Sequence, residues 1–455
     1  MRGESLKCYC YNLKNIKNIG IYIAAIVLLK IVFLLFAFSK GELDSYLKIV
    51  IPAAVISMVI ILYTCAMKSD YTFAVISILL LDIGTTMQVL ISESPDRYIL
   101  LQGIALVLGA ILLIAVCMVQ KHFSYKQQWL ICLIGISVLY LILLIFGANI
   151  NGTKAWIAIG GMSFQMTEII KIISVVGMAA VFSSDASEKK KIIYSLMIVL
   201  DNVVFLVLIK EMGTLVVIAF IFLLYSFLFL ENLKFFCFSI ASIFILGAGG
   251  ILGTSFLSRL DNPNVTDFVL IEVAADIWGK LENRVVLLTA PDTLDPYGSA
   301  YQALTAQKAI HLGGLFGSSY QIPIPVEESD YVFVSLILNM GLVLAILVLI
   351  LFLCILLSGI RIYAKSANRL EGCTAAGFIY MIFFQSLLTM LGSTNAFLIM
   401  GLPMAFLSAG GSNQSMLFTM LFYILYVGRT ICEKDKENGK EISIERRKAV
   451  CRIKE

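Results

Sequence analysis

Three carboxylates, Glu327, Glu328 and Asp330, crowd the point where a long polar loop meets the uncharged run Tyr331–Gly359. Like charges held close repel and raise one another's pKa. The stretch EESDYVFVSLILNMG is therefore the first place to look for chemistry in which a carboxylate exchanges a proton. A plainer role fits the same residues. Ser329 or Asp330 can cap the helix that follows, with acidic neighbours favoured by its dipole. A second constellation is Glu168 with Lys171, three residues apart and so on one helical face of an apolar run. Ionisable groups inside a membrane span are costly, and a mutual pair is the least costly arrangement. Such a pair either locks two helices or lines a polar cavity that opens outward. Lys30, Asp82 and Asp201 also fall in apolar runs, where packing or cavity lining is the default. His122 and His311 are too sparse for a histidine-based site.

The elements that must position these residues are membrane helices. Apolar residues make up 60% of the 455 and charged residues 14%, with a mean hydropathy of +0.94, beyond what a soluble surface permits. Runs of about 20 apolar residues, enough to cross a bilayer, occur near 19–38, 46–67, 71–92, 98–119, 127–147, 163–183, 192–210, 213–231, 234–253, 330–358, 371–393 and 404–428. The chain is thus expected to be an all-α polytopic membrane protein of about twelve spans. With the N-terminus 1–18 in the cytoplasm, the inner segments collect Lys121, Lys126, Lys189, Lys190, Lys191, Arg361, Lys365, Arg369 and the charged tail 429–455. The short outer loops hold only Lys40, Lys48, Arg97 and Lys154. This positive-inside bias and an even number of spans both place the two termini in the cytoplasm. The ten cysteines all fall in expected spans or inner segments, so no structural disulfide is expected, and Cys8 and Cys10 lack further metal ligands nearby. The first apolar run has no clear cleavage site and reads as a retained span.

The unusual residues gather on the expected outer side. Loop 254–329 carries five of the eight prolines and the cluster Gly313, Gly314 and Gly317; a loop this long is uncommon unless functional. Within it, Ala300–His311 has helical spacing and is expected to lie along the membrane surface. A second outer segment, 148–165, places Trp156, a residue type that often anchors at the interface, beside a Gly160-Gly161 turn.

Five segments, in order, resemble the SEDS proteins (the FtsW, RodA and SpoVE type), bacterial membrane proteins of shape, division and sporulation. GTKAWIAIGGMSFQMTEIIK at 152–171 is similar to the family's G-x-R-R-W-I-x-L-G-x-x-x-F-Q-P-S-E-L-x-K and keeps Trp156, Gly160, Gln165, Glu168 and Lys171. KEMGTLVV at 210–217, DPYGSAYQALTAQKAIHLGGLFG at 295–317, EESDYVFVSLILNMG at 327–341 and MGLPMAFLSAGGSN at 400–413 match four further family motifs. Departures are Ala155 for the family's Arg, Met166-Thr167 for Pro-Ser, Lys210-Glu211 for Pro-Asp, Leu338-Asn339 for a late acidic residue, Ala405 for Pro and Ala409 for Tyr.

The resemblance implies a ten-helix core, with two extra N-terminal helices in this chain: a five-helix segment 19–147, then a catalytic core 148–428. It implies a peptidoglycan glycosyltransferase that polymerises lipid II, the undecaprenyl-pyrophosphate-linked disaccharide-peptide, beside a class B penicillin-binding protein. Asp330 matches the family's essential Asp and would be the catalytic base. Trp156, Glu168, Lys171, Gln302, Arg284, Lys154, Ser408 and Ser412 would contact substrate, with Lys210 a further cation for the pyrophosphate. Glu327 and Glu328 would tune Asp330 or bind a divalent cation, Mg or Mn. The competing readings are a precursor transporter or flippase, and a non-catalytic scaffold for a transpeptidase.

Overall fold

The computed structural model describes residues 23–39, 41–92, 94–150, 152–159, 162–230, 234–242, 282–290 and 300–429, with 20, 279–280 and 295. The termini 1–18 and 430–455, the second half of the expected span 234–253 and residues 254–278 of the expected outer loop lie outside the described residues. The chain is an all-α polytopic membrane protein. Among the described residues, nine helices are long and apolar enough to cross a membrane, and a tenth, Ile23–Ser39 (α1), is apolar but shorter.

The nine are α2 (Leu43–Met67), α3 (Tyr71–Ile91), α4 (Pro95–His122), α5 (Tyr125–Phe146), α6 (Met166–Ser183), α7 (Glu188–Leu208), α8 (Met212–Phe229), α13 (Leu342–Lys365) and α14 (Arg369–Ser393). Short helices at 234–242 (α9) and 282–289 (α10), then α11 (Tyr301–Gly313) and α12 (Val332–Met340), complete the order up to a closing helix at 411–429 (α15). Helix starts follow local chemistry. The Asp70 carboxylate accepts from the Thr72 N–H at 2.8 Å and Asn368 from the Leu370 N–H at 3.0 Å, satisfying donors that a helix N-terminus leaves open.

Burial sorts the helices into an inner and an outer set. The apolar windows of α3, α6 and α14 are 78%, 83% and 72% buried, against 22% for α4, α5 and α7. Outer helices turn their small and polar residues inward. On α5 the buried stripe is Gln128, Cys132, Ile136, Tyr140 and Leu143, while Ile134, Val138, Leu141 and Ile145 face outward. The Tyr140 hydroxyl donates to Asn202 Oδ1 of α7 at 2.8 Å, and Asn202 Nδ2 donates to Ser174 Oγ of α6 at 3.2 Å. With lipid on one side there is no hydrophobic drive between helices, so close packing and such bonds hold them.

Two expectations are corrected. The run 330–358 is not one span: it breaks at Gly341 into the short α12 and the long α13. Gly341 has φ +88° and ψ 170°, and a Cβ there would strike the Leu315 carbonyl. The Gly313–Ser318 turn inserts at the break. The N–H groups of Leu342 and Val343 donate to the carbonyls of Gly314 and Leu315 at 3.0 and 3.2 Å, and the Ser318 N–H to Leu338 O at 2.8 Å. Hydropathy cannot see this, because both pieces are apolar. The run 404–428 is likewise helical only from 411, after an irregular, largely buried segment at 400–410.

The segment 148–165 is a three-stranded antiparallel sheet, β1 (Ala148–Ile150), β2 (Thr153–Ile159) and β3 (Met162–Gln165), in the order β1-β2-β3. Trp156 pairs with Ala148 on one side and Gln165 on the other; Gly160 and Gly161 lie outside the described residues. Helix α11 forms over the stretch expected to be helical and buries Ala303, Ala306 and Ala309, the last two in a cluster with Tyr331, Val334 and Leu338 around α12.

The Gly341 backbone lies in a region open essentially to glycine alone, where another residue costs about 1–3 kcal/mol. Gly341→Ala is expected to lower the thermal midpoint of the detergent-solubilised protein, measured by size-exclusion chromatography after heating. An unchanged midpoint would show that the break accommodates a side chain.

Candidate active site

Asp330 lies in the turn that leads from Pro325 into α12. It does not cap that helix: the N-cap residue is Tyr331, with no side-chain cap bond. Instead the turn is pinned from beneath by the irregular segment 400–410. The Ser408 hydroxyl donates to Ser329 O at 2.6 Å and accepts from the Met404 N–H at 2.7 Å. The Ala409 N–H donates to Glu328 O at 2.7 Å, and Gln88 Nε2 of α3 donates to Glu328 O at 2.9 Å and Leu407 O at 3.0 Å. The turn therefore cannot shift without breaking buried hydrogen bonds.

The Asp330 side chain is half-buried and lines a small pocket with Thr389, Ser393, Met400 and Gly401. A Cβ on Gly401 would stand 3.7 Å from Asp330 Oδ2. Burial pushes the Asp330 carboxyl above its ordinary value, while a hydrogen bond from Ser329 Oγ at 3.2 Å and the charge of Arg284 pull it part of the way back. The effect on Arg284, carried by α10, is the mirror image: burial lowers its pKa and Asp330 raises it. Glu327 is also raised, by burial and then by Glu328 against a bond from Ser335 Oγ at 3.2 Å. On the other side of the turn, a cleft of about 530 Å³ is lined by Arg97, Tyr98, Ser92, Ser94, Glu327 and Glu328.

Glu168 and Lys171 form the expected pair, 2.7 Å apart and buried, with side chains 3% and 0% exposed. Lys171 Nζ also donates to Gln385 Oε1 of α14 at 2.8 Å, and Gln385 Nε2 donates to Pro403 O at 2.8 Å. The pair thus reaches the same 400–410 segment that holds Asp330, from the opposite side. Lys171 is engaged there, beneath the surface.

The remaining expected site residues are spread out. Arg284, Glu327, Glu328 and Ser408 gather around Asp330, Ser408 with its hydroxyl spent on backbone groups. Ser412 is buried at the start of α15 and Gln302 is exposed on α11. Trp156 is half-buried on β2 and Lys154 is exposed on the same strand. Lys210 is half-buried, with φ +63°, in the tight turn between α7 and α8. Among the described residues no three His, Cys, Asp or Glu side chains converge to hold a metal ion. Glu327 and Glu328 supply at most two carboxylates, the number Mg²⁺ takes when substrate phosphates and water complete its shell.

Sequence reasoning passed over Glu211 as a working residue. It stands just ahead of α8 and its Oε1 accepts from Gln165 Nε2 at 3.2 Å, Thr167 Oγ1 at 3.1 Å and Thr214 Oγ1 at 2.6 Å. It therefore ties β3, α6 and α8 together beneath the sheet. Burial raises its pKa; the Thr214 bond and then the charge of Lys171 oppose this. The signal was an acidic residue directly before an apolar run. Gln88 and Gln385, lone polar residues within spans, carried a comparable signal.

A bundle of membrane helices that pins a half-buried carboxylate beside a polar cleft defines a polytopic membrane protein. The family model for cell cycle proteins of the FtsW/RodA/SpoVE type matches residues 72–430. The chain belongs to this family. A relative named probable peptidoglycan glycosyltransferase FtsW, from Hydrogenovibrio crunogenus, is 27% identical over 379 residues, covering 79% of this chain and 91% of the relative. Stage V sporulation protein E of Bacillus subtilis is 23% identical over 385 residues, covering 79% and 97%. Among solved structures, a chain of a peptidoglycan synthase complex described as coordinating polymerization and crosslinking matches at a TM-score of 0.61. It is 18% identical, with 79% of this chain and 98% of that chain covered.

If Glu211 is held neutral, its amide isostere should replace it. Glu211→Gln is expected to fold and work near the wild-type level. Glu211→Ala, which strands two buried hydroxyls and an amide, should cost about 1–3 kcal/mol for each group left unpaired. Thermal unfolding of the two purified variants decides; equal loss in both would mean that the ionised form is required.

Proposed function

We propose that the chain is a peptidoglycan glycosyltransferase that polymerises lipid II into glycan strands at the outer face of the cytoplasmic membrane. The relatives named for this activity support it, as does the positive-inside charge bias, which turns the Asp330 end outward. The observation that carries the proposal is Asp330 itself. It is a carboxylate with a raised pKa, on a pinned turn, in the segment 327–341 that resembles the family's Asp-headed motif.

In this reaction the 4-hydroxyl of a GlcNAc attacks the anomeric carbon of a MurNAc, and undecaprenyl pyrophosphate leaves. The new C–O bond forms as the bond to the pyrophosphate oxygen breaks. A sugar hydroxyl is a weak nucleophile at neutral pH, so a base that takes its proton contributes about 10²–10⁴ in rate. Asp330 takes that proton in our reading. Its raised pKa makes it a stronger base than an ordinary aspartate, while leaving it ionised above that value. The departing pyrophosphate needs positive charge. Arg284 beside Asp330 and Arg97 in the cleft are the cations best placed for it, with Lys154 on the sheet further out. A divalent cation held at Glu327 and Glu328 would supply further charge to the pyrophosphate. Glu168, Lys171 and Gln385 act beneath, fixing the 400–410 segment and so the turn. By analogy with the complex that couples polymerization to crosslinking, a class B penicillin-binding protein is the proposed partner.

Purified protein in nanodiscs, given lipid II, is expected to make glycan strands that a gel resolves, and Asp330→Asn to make none. Strands from Asp330→Asn at the wild-type rate would remove Asp330 from the mechanism. Because the pKa is raised, activity should fall as pH drops through a value above the ordinary aspartate range of about 3.9.

The Glu168–Lys171 pair makes a separate forecast. Lys171→Met leaves a buried carboxylate uncompensated, which typically costs about 3–5 kcal/mol, so polymerisation and thermal stability should fall together. Glu168→Gln/Lys171→Met, with neither charge, should recover stability. A stable, fully active Lys171→Met would reduce the pair to ordinary packing.

A further inference from the structure

The family match begins at residue 72, so α1 and α2 precede it. This N-terminal hairpin nonetheless makes a polar contact with the core deep inside the bundle. Lys30 Nζ of α1 lies 2.6 Å from Asp82 Oδ1 of α3, with side chains 17% and 5% exposed. Asp82 is twelfth of the 21 residues of its span, far from either end, where a lone charge is most costly. The hairpin also packs into the core. It buries Ile26, Phe33 and Ala37 from α1, and Tyr46, Ile49, Ala53, Ile56 and Ile60 from α2, at the three-to-four spacing of one helical face.

Helix α3 leads from this pair to the active-site turn. Two residues beyond Asp82, Gly84 packs so closely on the Phe406 carbonyl that a Cβ would collide with it. Six residues beyond Asp82, about 9 Å along the helix, Gln88 donates to Glu328 O and Leu407 O. One rigid helix therefore carries the partner of Lys30 and the amide that holds the Asp330 turn.

We infer that the N-terminal hairpin is a working part of this enzyme: Lys30 supplies the counter-charge that Asp82 requires, and the pairing sets α3 so that Gln88 holds the Asp330 turn in place. Lys30 is a positioning residue and touches no substrate. The consequence for catalysis rests on the reading of Asp330 as the base; the consequence for the turn does not.

The test compares full-length wild type, Lys30→Met, and Lys30→Met/Asp82→Asn in nanodiscs. Lys30→Met strands a buried carboxylate. Amides of 404–410, including the Ala409 N–H bound to Glu328 O, should then exchange with deuterium faster, while the distant 120–128 segment should not. Displacing the turn by a fraction of its hydrogen-bond reach should lower kcat about tenfold or more at unchanged KM. The double variant, with neither charge, should recover both readouts. Unchanged exchange at 404–410 in Lys30→Met, faster exchange everywhere, or no recovery in the double variant would each overturn the inference. If Lys30→Met does not accumulate, a double variant that folds and exchanges as wild type supports the pairing, and one that does not overturns it. A wild-type protein that makes no glycan would refute the proposed function and leave the exchange comparison to decide this one.

Discussion

Inside a bilayer no water is available to satisfy a peptide group, so irregular backbone survives there only where protein supplies every partner. The site depends on this constraint at residues 400–410. The segment is largely buried and non-helical, and side chains from two helices, α3 and α14, supply hydrogen bonds to it. Gln385 serves Pro403 O, Thr389 serves Leu402 O at 2.8 Å, Ser386 accepts from the Ala405 N–H at 3.2 Å, and Gln88 serves Leu407 O. Ser408 closes the segment on itself and on the Asp330 turn. A loop in water could wander at little cost. This one cannot, because each displacement leaves a buried amide or carbonyl unpaired, at about 1–3 kcal/mol apiece. Rigidity at Asp330 is thus a by-product of this enclosure.

The same constraint explains what was legible in the sequence. Long apolar runs mark spans because hydrocarbon demands them, and most of the helices of the bundle could be read from the runs alone. Asp330 and the Glu168–Lys171 pair stood out because charge is rare in such runs. The break at Gly341 was hidden, since Leu338 to Leu344 is apolar on both sides apart from Asn339, and only the φ of one glycine separates α12 from α13. The irregular segment was hidden for a related reason. Met400–Ala409 is as apolar as a helix, and its partners Gln88, Gln385 and Thr389 come from elsewhere in the chain. Hydropathy reports solvent; it does not report backbone conformation. The sheet at 148–165 was lost because its alternation is blurred: Ala155 is fully buried and Trp156 and Ile157 are both half-buried.

The buried charges divide by what surrounds them. Asp82 meets Lys30, and Glu168 meets Lys171, each within 2.7 Å. Such pairs return part of the desolvation cost as mutual attraction, and removing one member leaves the other uncompensated. Among the described residues no cation pairs with Glu211; hydroxyls and an amide surround it, and burial favours its neutral form. These groups are anchors, and their chemistry is spent on holding helices together.

Asp330 differs in each respect that matters for reactivity. It is only half-buried, it accepts a 3.2 Å bond from the neutral Ser329 hydroxyl, and the charge of Arg284 acts on it through space. Its basicity is raised by burial, and its carboxylate lines a pocket of about 10 Å³. A tighter partner would lower the pKa and block the oxygen; full exposure would return the pKa to the ordinary range and free the turn. Between these limits a carboxylate stays both basic and reachable. The pinned turn holds Asp330 there, with Ser408, Gln88 and the 400–410 segment supplying the fixity that the carboxylate itself has to forgo.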